Sequence, residues 1–245
     1  MHAPSFPNPD PNQELLDLLR RTMTHYGLWF AEAVHQVGLD VALEAEKEAG
    51  DRWLAIAMKR LAKATGQELK NGLPAFLADL PEDRRENLLQ TLAVNWLAAD
   101  GVWFQAVESR CGMHDAKRVN DTCWSRFSPM EAARIKALLD LPEHPGLDGL
   151  RAALQHRLYA RVNVWEFDEQ GSDSFIFRMN DCRVQSARKR KGLEDYPCKS
   201  GGCVEYASFA RTIDPRIVTE CVACPPDPHP EDWYCSWRFT LRPEG

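Results

Sequence analysis

Six of the eight cysteines in this 245-residue chain fall after residue 180. Four of them, Cys198, Cys221, Cys224 and Cys235, are spaced C-x22-C-x2-C-x10-C. A C-x2-C pair lets two thiolates from one tight turn reach the same ion, and two more from separate segments complete a tetrahedral sulfur shell. Such a shell selects zinc or an iron–sulfur cluster over harder metals. Zinc is the expected occupant. Cys224-Pro225 matches the Cys-Pro that ends ferredoxin-type runs, which makes a [4Fe-4S] cluster the alternative. The competing structural reading is a set of reduced, buried cysteines acting as small hydrophobes.

Other residues could do acid–base or nucleophilic work. Cys182 falls in the first turn of an expected helix capped by Asn180-Asp181 and precedes Arg183, a setting that lowers a thiol pKa. It is the candidate nucleophile, with a fifth ligand or a core residue as the other readings. His25 and Glu32 lie two turns apart on one stripe of the first helix and are candidates for proton transfer; a hydrogen-bonded histidine in a packed interface is the alternative. Asn95, Asp100, Glu108, His114, Asp115, Asn120 and Asp121 form a second polar set, threaded through later helices.

The elements that carry these groups follow from periodicity. Amphipathic runs predict helices at 12–36, 39–65, 73–79, 85–111, 114–123, 128–140 and 146–156. Ser128-Pro129-Met130-Glu131 reads as a helix start, with a serine cap, proline in the first turn and a capping-box glutamate. An internal repeat runs through this half. Gly27-Leu28-Trp29-Phe30, Gly38 and Ala42 are echoed by Gly101-Val102-Trp103-Phe104, Gly112 and Ala116, each displaced by 74 residues. A duplicated helix pair about a pseudo-twofold axis is expected. Trp53 and Trp124 fall three residues out of that register.

Beyond residue 156 the pattern changes. Residues 158–167 alternate as a strand, 168–173 turn, and 174–179 alternate again, giving a hairpin. Helices over 180–192 and 202–212 and strands over 216–222 and 233–241 complete a β-β-α-α-β-β order. The expected fold class is α+β: an N-terminal helical domain with a duplicated helix pair, then an antiparallel sheet with helices on one face and a cysteine metal site. The expected organisation is a disordered segment at 1–11, a helical domain at 12–156 and a cysteine-rich domain at 157–245.

A net charge of −6 argues against nucleic acid and anionic membrane as partners. No apolar run approaches the roughly 18–20 residues that cross a bilayer, and the start of the chain lacks the basic and apolar regions of a secretory signal. The expected location is cytoplasmic, where cysteines serve as ligands or nucleophiles rather than disulfides. The basic run Arg188-Lys189-Arg190-Lys191 closes a helix, where cations complement the dipole. It could also attract a carboxylated substrate.

Phe177-Arg178-Met179-Asn180-Asp181-Cys182, Cys198, Thr219-Glu220-Cys221-Val222-Ala223-Cys224 and Trp233-Tyr234-Cys235-Ser236-Trp237-Arg238-Phe239 carry a resemblance. Through them the span from Phe175 to Leu241 resembles the L-2-amino-thiazoline-4-carboxylic acid hydrolase family and, more distantly, 4-vinyl-reductase-type small-molecule-binding domains. The whole chain is similar to an uncharacterised prokaryotic group related to that hydrolase family. In the 4-vinyl-reductase-type domains a zinc site uses three cysteines and a glutamate. By position Cys198, Cys224 and Cys235 match those cysteines, and Cys221 stands where the glutamate would be. The resemblance implies a hydrolase-like enzyme acting on a small carboxylated molecule containing nitrogen or sulfur; in such an enzyme the residue types and positions described above make Cys182 the nucleophile and His25 or Glu32 the proton carrier. The alternatives are a small-molecule sensor with structural zinc, for which Trp29, Trp103, Trp165, Trp233 and Trp237 offer pocket walls, and an iron–sulfur protein. A small-molecule ligand is the expected partner; the oligomeric state is left open.

Overall fold

The computed structural model describes residues 8–192 and 194–242. The chain divides into two compact units, Met1–Leu54 and Ala55–Gly245. Most of the segment expected to be disordered, residues 1–7, lies outside the described residues, and Asp10 caps the first helix by accepting from the backbone N–H of Asn12 and Gln13.

The first unit holds α1 (Pro11–Val37) and the start of α2 (Leu39–Ala64). Their joint is Gly38 at φ 90° and ψ 163°, backbone that essentially only glycine adopts. Across the pair Tyr26 Oη donates to Glu46 Oε1 at 3.0 Å. Gly50 makes room for that bond, since a Cβ there would stand 2.6 Å from the Tyr26 hydroxyl. None of the residues of α1 is buried.

The second unit contains a short hairpin (β1 Leu69–Lys70, β2 Leu73–Pro74), then α3 (Ala75–Ala78), α4 (Glu82–Cys111), α5 (Met113–Leu138) and α6 (Gly146–Gln155). A 3-10 turn over Leu158–Arg161 leads into β3 (Val164–Glu169), β4 (Ser174–Asp181), α7 (Arg183–Arg190), α8 (Lys199–Ile213), β5 (Ile217–Ala223) and β6 (Cys235–Leu241). The α+β class and the β-β-α-α-β-β order expected from the sequence are present, in an antiparallel sheet ordered β3-β4-β6-β5. Among the described residues no helix is long and apolar enough to cross a membrane.

Strand alternation gives this sheet two unlike faces. Phe175, Phe177, Trp237 and Phe239 are buried with Leu150 and Leu154 of α6 and Phe209 and Ile213 of α8. Tyr206 of α8 stacks on Trp237 at 4.7 Å. The other face carries ion pairs, Arg178 to Asp168 at 2.6 Å and Arg238 to Glu220 at 3.1 Å.

Two local expectations fail for physical reasons. The helix start at Ser128-Pro129 does not exist, because α5 runs unbroken through Pro129. Ser128 is buried and its hydroxyl donates to the Glu205 carbonyl at 2.7 Å, tying α5 to α8. Glu131 serves Arg157 instead of a cap, accepting from its Nε at 2.9 Å. The strand expected over 158–167 is a 3-10 turn for its first four residues. There the Leu158 N–H donates to Glu131 Oε1, so a side chain takes the place of a ladder partner.

Candidate functional site

Among the residues of the second unit, a cavity of about 750 Å³ lies between α4, α5, α7, α8 and the inner strands β4 and β6. Gly201 and Gly202 permit the approach of α8 that shapes it. A Cβ at Gly202 would stand 2.7 Å from Trp237 Cζ2, and one at Gly201 would stand 2.9 Å from Asp121 Oδ1. Only glycine brings the first turn of α8 this close to both sides.

The wall formed by the sheet and α8 is rich in sulfur. Cys182, Cys198, Cys224 and Cys235 all line the cavity. The neighbouring Cys198 and Cys235 thiols, with burial, push the Cys224 pKa far up. Backbone bonds fix the arrangement: Lys199 N–H donates to the Pro225 carbonyl at 2.9 Å, and Tyr234 N–H donates to the Met179 carbonyl at 2.8 Å. Gln185, only 1% exposed, donates from Nε2 to Cys198 Sγ at 3.0 Å and to the Tyr196 carbonyl at 2.8 Å.

Cys221 is placed elsewhere. It pairs with Trp237 in the ladder just before a register shift that separates it from Ala223. Its thiol is pushed up to about 11 by burial and by the neighbouring Cys203, and the nearby Lys199 opposes the shift. Neither Cys203 nor Cys221 lines the cavity. The structure therefore brings together Cys198, Cys224 and Cys235 of the four sequence-derived ligands, adds Cys182 to the same wall, and sets Cys221 beside Cys203. Among the described residues no group of three or more His, Cys, Asp or Glu side chains is posed to hold a metal ion; the Cys198 thiol donates to the Tyr196 carbonyl at 3.3 Å.

Cys182 caps α7. The helix dipole and Arg183 were expected to lower its pKa, but burial and the nearby Cys198 win and push it up to about 12. His25 and Glu32 are exposed on α1 in the first unit. Glu32 accepts from Gln36 Nε2 at 2.6 Å, and His25 lies edge-on to Trp29. The cavity lining falls wholly within the second unit and includes neither of them.

Asp100, Glu108 and Asn120 of the second polar set do line the cavity. Burial raises the Asp100 pKa, and its bond from Asn120 Nδ2, at 3.3 Å, opposes that shift. Glu205, which sequence reasoning missed, lies seven residues after Cys198 on α8, and that two-turn helical spacing was the available signal. Burial pushes its carboxyl up to about 6 against the pull of Arg157, whose Nη1 stands 2.7 Å from Oε1. Arg157 is itself buried, and the paired carboxylates Glu131 and Glu205 overcome burial to hold it charged.

The rest of the lining suits an amphipathic guest. Phe104, Trp124, Tyr159 and Tyr206 are apolar walls, and Arg183, Arg188 and Lys191 put cations on the α7 side. Among the described residues, three that line the cavity keep a buried donor without a hydrogen-bond partner: Asn163 Nδ2, Tyr196 Oη and Trp237 Nε1. Buried donors of this kind are satisfied when a polar ligand or water occupies the space.

Residues 78–241 match a family of unknown function, DUF6125. No curated protein and no solved structure matches the chain. The matched span begins at the end of α3 and covers every residue that lines the cavity.

Proposed function

The chain belongs to that family of unknown function, and we propose that its second unit is a hydrolase-like pocket for a small carboxylated molecule containing nitrogen or sulfur, built beside a thiolate-bound zinc ion. The observation that carries the reading is the meeting of Cys198, Cys224 and Cys235 on the wall of the cavity. The donor set fits a soft metal in kind, and binding an ion would draw these thiols together and release their protons. A zinc ion held by these residues supplies a tie between the segments that carry them and a local positive charge beside the cavity.

The protein's own groups divide the remaining work. Arg183, Arg188 and Lys191 attract and orient the carboxylate. Phe104, Trp124 and Tyr206 take the apolar body and exclude water from it. Glu205, with a carboxyl pushed up to about 6, can give and take a proton near neutral pH. In hydrolysis water adds to the electrophilic carbon, its proton passes to Glu205, and the same proton goes to the departing nitrogen or sulfur. Cys182, its thiol pushed up to about 12, is protonated near neutral pH and is not the nucleophile in this scheme.

A second reading, sensing without chemistry, draws on the aromatic lining, in which Trp124 stacks on Tyr159 at 5.5 Å. Metal analysis of anaerobically purified protein, a thermal-shift panel of small carboxylic acids that includes thiazoline carboxylates, and mass spectrometry of the recovered ligand test both. Zinc at about one per chain, with a panel member recovered as its hydrolysed product, supports the enzyme. Recovery of the ligand unchanged supports the sensor. Iron with labile sulfide replaces zinc by a cluster, and metal-free protein that no panel member stabilises removes the proposal.

A further inference from the structure

Resting on the zinc reading above, we propose that the fourth ligand is Cys182, so that the shell is Cys182, Cys198, Cys224 and Cys235. Cys221 then stays outside it, paired with Cys203. The C-x2-C spacing pointed to Cys221, but a register shift falls between it and Cys224. Cys221 faces Trp237 across the ladder, the register shifts at the next residue, and Ala223 pairs with Ser236. One extra residue at a bulge changes which side the following residues address. Cys224, past the end of the strand, lines the cavity with Cys198 and Cys235, while Cys221 lies off that lining, near Cys203 and Lys199 and, more weakly, Cys235.

Cys182 reaches the same wall by another route. It follows the end of β4, whose Met179 pairs with Cys235 in the ladder, and it lies within electrostatic reach of both Cys198 and Cys235. Three residues on, Gln185 fastens the first turn of α7 to the Cys198 segment through three bonds: its Nε2 donates to Cys198 Sγ and the Tyr196 carbonyl, and its Oε1 accepts from Tyr196 N–H at 2.8 Å. An N–H aimed at a ligand sulfur is the outer-shell support that orients thiolates in metal sites. Four cysteines on one cavity wall, with Cys203 and Cys221 both off it, define the set. Each thiol gives its proton to solvent as the ion binds.

The test uses the full chain, stripped of metal under anaerobic conditions and titrated with Co²⁺ alone, comparing wild type with Cys182→Ser and Cys221→Ser. The sulfur-to-cobalt charge-transfer intensity counts thiolates, and the visible bands report tetrahedral geometry. Wild type and C221S are expected to give the same four-thiolate spectrum, whereas C182S loses about a quarter of the charge-transfer intensity. It should also bind cobalt at least about tenfold more weakly, the low end of what even an outer-shell loss costs. A full spectrum in C182S with a loss in C221S overturns the ligand set and leaves the metal reading standing. No uptake of Co²⁺ or Zn²⁺ by wild type overturns the metal reading itself. If C182S does not fold, differential alkylation of the wild type decides: zinc is expected to slow Cys182 modification at least about tenfold, with Cys203 and Cys221 unchanged. Equal Cys182 rates with and without zinc overturn the assignment.

Discussion

Gly38 and Gly112 stand 74 residues apart and adopt almost the same backbone, φ 90° with ψ 163° and φ 83° with ψ 168°. Four residues after each comes an alanine that is 1% exposed, Ala42 and Ala116. The cross-helix bond from Tyr26 to Glu46 recurs at the same offset as the bond between Asp100 and Asn120. Even the exposed tryptophans agree, Trp29 at 69% and Trp103 at 70%. The two helix pairs part company at the position of Gly50, which becomes Trp124 in the second copy. There the bulk has moved from one helix to the other: tyrosine facing glycine becomes aspartate facing tryptophan. α2 buries Ala42 and Ala62, whereas its counterpart α5 buries Trp124, Ser128, Glu131 and Ile135 among others. The comparison teaches that similar helix hairpins can differ in burial: among the described residues, the cavity borders the one that packs against α8 and the Arg157 segment. The family match, which starts at residue 78, follows the second copy and leaves out the first.

Arg157→Met should break the contrast most severely. It leaves Glu131 and Glu205 as uncompensated buried carboxylates, a loss of about 3–5 kcal/mol. Denaturant unfolding followed by Trp124 fluorescence should show it, while hydrogen exchange in α1 stays at the wild-type rate. Trp124→Ala should cost about 3–5 kcal/mol through the cavity it leaves, against no more than about 0.5 kcal/mol for Trp29→Ala or Trp103→Ala at the surface. A large loss in either surface variant would show that the exposed tryptophans of the two copies are not equivalent. Gly38→Ala and Gly112→Ala should each cost about 1–3 kcal/mol, because both sit in glycine-only backbone; matching shifts in helix content sharpen the equivalence of the joints.

A pH series gives the smallest effect. The Glu205 carboxyl, pushed up to about 6 in the folded chain, binds its proton more tightly there than in the unfolded chain, where its ordinary value is 4.5. Its contribution is therefore fully present below pH 4.5 and is lost as pH rises through about 6, a span worth about 2 kcal/mol. Glu205→Gln should flatten that window. Asp214 works in the opposite sense and in a lower window. Arg216 and the Gly146 N–H hold its carboxylate well below the usual range, so its contribution is present above its ordinary 3.8 and falls away as acid approaches the depressed value. Chemical unfolding between about pH 2 and 7, which spans the whole Glu205 window and the upper part of that of Asp214, separates the two.

Regular elements were legible because their signals are local. The 74-residue repeat located both helix joints, and alternation located β4, β5 and β6 within two residues of their ends. What failed was non-local. Ser128-Pro129-Met130-Glu131 has every mark of a helix start, yet both polar side chains are spent on partners that only the tertiary fold supplies, the Glu205 carbonyl and Arg157. The cysteines were visible as a cluster of types. Which of them share a wall depends on one register shift beside Cys221, and bulges carry no reliable spacing signal. Glu205 was invisible for a similar reason. Burial beside Arg157 raises its pKa, and nothing near it in sequence foretells that arginine.

Gln185 has a mechanical consequence. Its single carboxamide grips the Tyr196–Cys198 segment at three points, while the helix that carries it presents Arg183, Arg188 and Lys191 to the cavity. The rim that would greet an incoming anion and the sulfurs on the far wall are thus one stiff piece, and a pull on the helix is felt at the Cys198 thiol through a lever one side chain long.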